Sequence, residues 1–320
     1  MLFSKKKTEV EEVDLNDVFV WTEAVNCGEI LKPMLMSFLA HHNQKIYVFG
    51  LLDDLRDLET HSQTILIALD TKDAEVFFSR EDLKLIISSY SKGHMGTAAL
   101  WSRIILSREE SFMIHLDADT IFVGDVVNPI LAALRSGFSI AGPRRNYRHH
   151  QGNLGIWRKV VYRYHRDSVH TYAFGFNRKL ISISSDRLEN LINGEGYNQI
   201  HSQLFPILDF FDRITFHLTR KKPAYYFSTP NSDGRNEFGS SNEIEENVIS
   251  FFAVGSGCAF YKGKSVSASK EYMEIAQRSF ATFSKYLLDD PVDITPLELP
   301  KLEEKLRRLD KRKWILQETS

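Results

Sequence analysis

Cysteine is nearly missing: Cys27 and Cys258 are the only two in 320 residues. Neither belongs to a pair with metal-ligand spacing, which argues against a cysteine-held zinc and against a disulfide framework. A reducing compartment is the simplest home for such a chain. An excess of charge is missing too. The 40 lysines and arginines are balanced by 42 aspartates and glutamates, whereas bulk nucleic-acid binding needs a clear basic surplus. No nucleic-acid partner is therefore expected. No stretch reaches the roughly 18 uncharged apolar residues of a membrane span. The opening stretch, with Lys5, Lys6, Lys7, Glu9, Glu11 and Glu12, lacks the apolar centre of a signal peptide. The expectation is a cytoplasmic protein with no membrane anchor. Internal repeats and low-complexity tracts are absent as well.

What is present is an ordinary globular composition, 43% hydrophobic and 26% charged, long enough for one large α/β domain or two halves sharing a core. Apolar runs at 17–21 (DVFVW), 45–50 (KIYVFG), 64–69 (TILIAL) and 111–116 (SFMIHL) read as strands. Helical spacing over 29–41 and 97–106 falls between them, and 127–136 is a further helix candidate. Residues 83–88 fit either a strand or a helix, and 22–28 read as a loop. Residues 138–142 and 170–177 are further strands. Alternation of strand and helix predicts a doubly wound, mostly parallel α/β sheet of Rossmann type, which binds ligands beyond the carboxyl ends of its strands. Basic and aromatic residues crowd together after Pro143, so a change of subregion is expected there.

The chemistry concentrates in Phe112-Met113-Ile114-His115-Leu116-Asp117-Ala118-Asp119-Thr120-Ile121-Phe122. An apolar strand delivers two carboxylates, one residue apart, to its own end. Alternate residues of an extended strand face the same way, so Asp117 and Asp119 point together if that geometry persists. Two hard oxygen donors suit Mg²⁺ or Mn²⁺. Carboxylates set between apolar runs are costly to bury without a partner, which favours the cation over a structural strand end.

The apolar strand, Asp117-Ala118-Asp119 and the second apolar run resemble the GT-A glycosyltransferase superfamily. In layout the resemblance covers 16–262; the Asp-x-Asp segment is its specific part. It implies a GT-A-like fold, a UDP- or GDP-sugar donor with UDP favoured, Mn²⁺ or Mg²⁺ held by Asp117 and Asp119, and transfer of a hexose-type sugar to a hydroxyl of a glycan or lipid-linked acceptor. By the same resemblance the donor half is 16–143, the acceptor half of the same domain is 144–262, and 263–320 is a C-terminal helical extension. Thr22 and Glu23 fall where such folds touch base and ribose. A third metal ligand, which such folds often take from a late histidine, would be His217, water or another group.

Other positions are weighed on their residues. Lys92, His94 and Gly96 begin the helix before the Asp-x-Asp strand, where a permissive backbone and a helix N-terminus favour phosphate or sugar oxygens; an ordinary helix start fits equally. Arg103 is a second basic candidate there. Arg144 leads a cluster with Arg145, Arg148, His149 and His150 that suits a diphosphate or an anionic acceptor, or is a solvated loop. Gly175, inside a strand, implies close approach of ligand or backbone, or a bulge. Gly255 and Ser256 offer backbone N–H groups to phosphate. Asp233 and Glu237, in a polar loop, are the candidate bases for the acceptor's proton, or are solvated loop acids.

The segment 301–316 is a basic amphipathic helix fit for a membrane surface or a homodimer contact. Two rival readings remain open: a nucleotidyltransferase making an activated sugar, and a non-catalytic nucleotide-sugar-binding protein. The first lacks the Gly-rich phosphate loop expected after strand one.

Overall fold

Val18 to Phe49 shows the demand that shapes the molecule: its strands are apolar at odd and even positions alike, so both faces must be covered. The computed structural model describes residues 17–24, 28–56, 58, 61–90, 94–118, 120–122, 125–146, 167–169, 173–180, 224–227 and 248–250, with single positions at 184, 186, 190 and 213. The strands are β1 (Val18–Glu23), β2 (Ile46–Gly50), β3 (Thr64–Ala68), β4 (Phe112–Leu116), β5 (Thr120–Phe122), β6 (Ile140–Asn146), β7 (Asp167–Val169), β8 (Ala173–Asn177), β9 (Ala224–Phe227) and β10 (Val248–Ser250). The helices are α1 (Gly28–His41), α2 (Leu52–Leu55), α3 (Arg80–Tyr90), α4 (His94–Ser107) and α5 (Val127–Arg135).

The main sheet runs β3–β2–β1–β4–β8–β6–β7, with β9 joined to β6. Its pairings are mostly parallel: β2–β3, β1–β2, β1–β4 and β6–β9 are parallel, while β4–β8, β6–β8 and β6–β7 are antiparallel. β5 and β10 form a separate antiparallel pair. The expected α/β, Rossmann-type sheet is thus present. From β1 the chain builds outward through β2 to β3, then returns to lay β4 against the other side of β1. Strand order therefore reverses between β1 and β4, the place where open α/β sheets bind their ligands.

Alternation sorts the core into two layers. Val20, Val48, Ile114 and Leu116 join α1 through Leu31, Leu35 and Phe38, and α5 through Ile130, Leu131 and Leu134. Phe19, Trp21, Phe49 and Met113 face the other way, onto Leu83 and Ile86 of α3 and Leu100, Trp101 and Ile104 of α4.

Two local expectations are corrected and one open alternative is resolved. Thr22 and Glu23 belong to β1 rather than to a loop, because β2 continues beside them, with Thr22 opposite Val48 and Glu23 opposite Phe49. The ambiguous stretch around 83–88 is helix α3. Leu83, Ile86 and Tyr90 are buried at helical spacing while Leu85 and Ile87 are exposed. Ser79 caps the start, its Oγ accepting from Asp82 N at 3.1 Å and donating to Asp82 Oδ2 at 2.8 Å. β6 extends to Asn146, where β7 pairs with Arg144, Arg145 and Asn146.

Gly175 explains itself through packing. The β4–β8 register runs unbroken across it, Ile114 opposite Gly175, so there is no bulge. A Cβ there would lie 2.6 Å from Ile130 Cγ2 and 3.0 Å from Leu134 Cδ1. The close approach is that of helix α5. Among the described residues no helix is long and apolar enough to cross a membrane.

Candidate functional site

β1 and β4 lie side by side in parallel, with Trp21 opposite His115. Two residues beyond Trp21 comes Glu23, and two beyond His115 comes Asp117, so period-2 alternation turns all four toward the α3/α4 face. The chain ends of two neighbouring strands thereby bring together residues distant in sequence. Glu23, His115 and Asp117 offer ligand atoms that all lie within 4.8 Å of one another. His115 Nε2 is 2.7 Å from Glu23 Oε2, and Nδ1 is 3.8 Å from Asp117 Oδ1. A carboxylate only accepts, so Nε2–H donates to Glu23.

The imidazole is completely buried, whereas the Glu23 and Asp117 side chains retain 12% and 27% exposure. Access from solvent is thus greatest at Asp117. Aromatic rings fix the His115 plane: Trp101 lies 4.2 Å away between centroids, and Trp21 and Phe174 lie 5.3 Å away. An imidazole between two carboxylates, at the reversal of strand order, is a donor set that fits a divalent cation.

The chain leaving this site is fastened to α1. Ser37 Oγ accepts from the Phe122 N–H at 3.0 Å and donates to Met34 O at 2.8 Å. His42 Nε2 accepts from the Val126 N–H at 3.1 Å, and its Nδ1–H donates to Phe38 O at 3.0 Å. Those partners need the neutral ring. Burial lowers its pKa from 6.5 to about 4, against the smaller upward pulls of the Phe38 carbonyl and the Asp125 carboxylate. The Phe38 ring stacks on His42 at 4.5 Å.

Of the residues singled out from sequence, Asp117 and Glu23 are brought together, with His115 between them. Thr22 is wholly buried on the α1 side of β1, its hydroxyl without a hydrogen-bond partner among the described residues. His94 and Gly96 form the first turn of α4, and Arg144 lies in β6 opposite Val169. Arg103 binds Asp82 of α3 at 2.6 Å, an interhelix ion pair with the arginine side chain 12% exposed. Lys92, Asp119, His217, Asp233, Glu237, Gly255, Ser256 and the segment 301–316 lie outside the described residues.

His115 was given no role by sequence. The signal was available: a polar residue inside an apolar central strand, two positions before Asp117 and so on the same face. Its link to Glu23, 92 residues away, was not readable without strand order.

No protein-family model matches the chain, and no curated protein matches it significantly. Among solved structures the chain is similar to mouse xyloside xylosyltransferase 1 in its apo form, with 10% sequence identity and a TM-score of 0.39, over 66% of this chain and 85% of that one. A likeness of that size bears on neither family nor reaction.

Proposed function

We propose that the protein is a metal-dependent glycosyltransferase, moving a hexose-type sugar from a nucleotide-sugar, UDP-linked in preference to GDP-linked, to a hydroxyl of a glycan or lipid-linked acceptor. The observation that carries the reading is the meeting of Glu23, His115 and Asp117 at the reversal of strand order between β1 and β4. The Asp117-Ala118-Asp119 pattern at that strand end supports it independently.

The donor set fits Mn²⁺ or Mg²⁺, which as a Lewis acid stabilises negative charge on a diphosphate leaving group. Asp117, the most open of the three, meets the cation, joined in this reading by Asp119. His94 and Gly96, at the first turn of α4, are assigned to the donor. In the transfer the sugar–phosphate bond breaks, a bond forms between the sugar's anomeric carbon and the acceptor oxygen, and the hydroxyl proton leaves to a base, for which Asp233 and Glu237 are the candidates. Arg144 serves the diphosphate or an anionic acceptor, and 301–316 serves as a membrane-surface or dimer contact.

Thermal unfolding with UDP-, GDP- and CMP-sugars, with and without Mn²⁺, tests the assignment. Stabilisation should require metal and rise with donor concentration as mass action dictates. Released nucleoside diphosphate, read with candidate acceptors, reports turnover. Stabilisation by a nucleoside triphosphate with sugar phosphate, and by no nucleotide-sugar, would replace this reading with a nucleotidyltransferase. Metal-dependent donor binding without any turnover would replace it with a binding protein.

A further inference from the structure

We propose that Ser37 and His42 are positioning residues for the cation site: they fix the path of the chain leaving Asp117-Ala118-Asp119, and so set how tightly the cation is held. The inference rests on the metal-dependent reading above. Its first support is the place of β5. The end of β4 is held on both sides, by β1 and by β8. β5 starts at Thr120, directly after the second acid in sequence, and lies outside the main sheet. Its ladder among the described residues is with β10. Two carboxylates close on one small cation only when both are held within about 0.5 Å of the productive geometry. The exit path of the chain therefore bears on the cation.

The second support is the chemistry of the two anchors. Ser37 is wholly buried beside an apolar layer that includes Leu31, Met34, Leu35 and Phe38. Its proton goes to Met34 O at 2.8 Å, which turns the oxygen into the acceptor of the Phe122 N–H at 3.0 Å. His42 repeats the arrangement further along the leaving chain. Its Nδ1–H donates to Phe38 O at 3.0 Å, and Nε2 accepts from the Val126 N–H at 3.1 Å. Polar groups in an apolar layer are costly unless paired. Both of these are paired with main-chain donors of the same short segment. The third support is packing. The Phe122 ring stands edge-on to Phe38 at 6.0 Å and to His42 at 5.3 Å, so ring and N–H of one residue are held together. Ala118, between the two acids in sequence, packs into the same layer.

Calorimetric titration of the whole protein with Mn²⁺ alone, beside urea unfolding of the metal-free form, separates positioning from plain stability. Ser37→Ala should weaken Mn²⁺ binding about 10-fold, the lower end of what lost outer support costs a metal site. Leu35→Ala empties volume in the same layer without removing either bond. It should lose at least as much stability and bind Mn²⁺ as the wild type does. Ser37→Thr keeps the oxygen and should keep the affinity, even where its added methyl lowers the melting temperature. Coupling is reciprocal, so Mn²⁺ should slow hydrogen exchange at the wild-type Phe122 and Val126 amides more than at those of α3. Ser37→Ala with wild-type Mn²⁺ affinity overturns the inference. An equal loss of affinity in Leu35→Ala does so too, as does exchange at Phe122 and Val126 that bound Mn²⁺ leaves unchanged. Each of these leaves the glycosyltransferase reading standing. A wild type that binds no Mn²⁺, or binding untouched by Asp117→Ala, removes that reading and this inference with it. Should Ser37→Ala not fold, exchange in the wild type decides.

Discussion

His115 and Asp117 stand on one face of the sheet, and their neighbours Leu116 and Ala118 stand on the other. Leu116 and Ala118 are packed into the layer of α1 and α5 with Phe38, Phe122 and Val126. His115 is enclosed by Trp21, Trp101 and Phe174 and bonded to Glu23. One stretch of four residues therefore does two kinds of work. The α3/α4 side presents polar atoms that converge. On the α1 side, apolar packing and the backbone bonds from Ser37 and His42 hold the following chain in register. The contrast teaches that the face which binds can be perturbed without the face which supports.

The largest expected separation comes from Asp117→Ala. Loss of a metal-binding carboxylate should lower turnover by about 10²–10³ or more. The melting temperature without metal should stay within a few degrees of wild type, because Asp117 is 27% exposed. Steady-state kinetics beside calorimetry on the same preparation checks both halves. A variant that lost stability and activity in step would erase the distinction between the faces.

Acid should act on the supporting face. The folded state keeps His42 neutral down to a pKa of about 4, against an ordinary 6.5. The unfolded chain therefore binds the extra proton in that window, and stability falls as pH drops from about 6.5 toward 4. At ~1.4 kcal/mol per unit the full loss is on the order of 3 kcal/mol. Urea unfolding at pH 7 and near the lower limit measures it, and His42→Gln should flatten the difference.

Ser37→Ala removes the acceptor of the buried Phe122 N–H. The expected cost is about 1–3 kcal/mol by denaturant midpoint, with the acid dependence retained. The smallest change lies on the other face. Ser79→Ala should cost about 1 kcal/mol through the lost cap of α3, leaving Mn²⁺ affinity unaltered because the two Ser79 bonds are exposed contacts with Asp82.

Strand and helix alternation through the first 142 residues was legible because β1 to β4 are apolar runs with helical spacing between them. Asp117 was legible for the same reason, as a carboxylate at the end of such a run. Residues 83–88 were ambiguous because Leu85 and Ile87 are exposed hydrophobics that blur the helical stripe of Leu83, Ile86 and Tyr90. Thr22 and Glu23 looked like loop because polar side chains ended the apolar run; the ladder to Val48 and Phe49 extends β1 regardless. Arg103 looked available to a donor because its ion pair with Asp82 joins two helices. The Glu23–His115 contact needed knowledge that β4 lies beside β1, which no local pattern contains.

Gly175 carries a consequence for related chains. Ile130, Leu134 and Ile114 already occupy the volume a side chain would fill at that position, with atoms 2.6 to 3.1 Å from its first carbon. Densely packed interiors do not absorb such an intrusion without a matching loss. An alanine or serine at this point of the strand requires Ile130 to shift or to be replaced by a smaller residue, with lesser adjustment at 134 and 114. Diverged sequences would preserve that exchange as a correlated change between helix and strand. At Gly137, where φ is 96° and nothing lies within 4 Å of a added carbon, substitutions would leave no such trace on any neighbour.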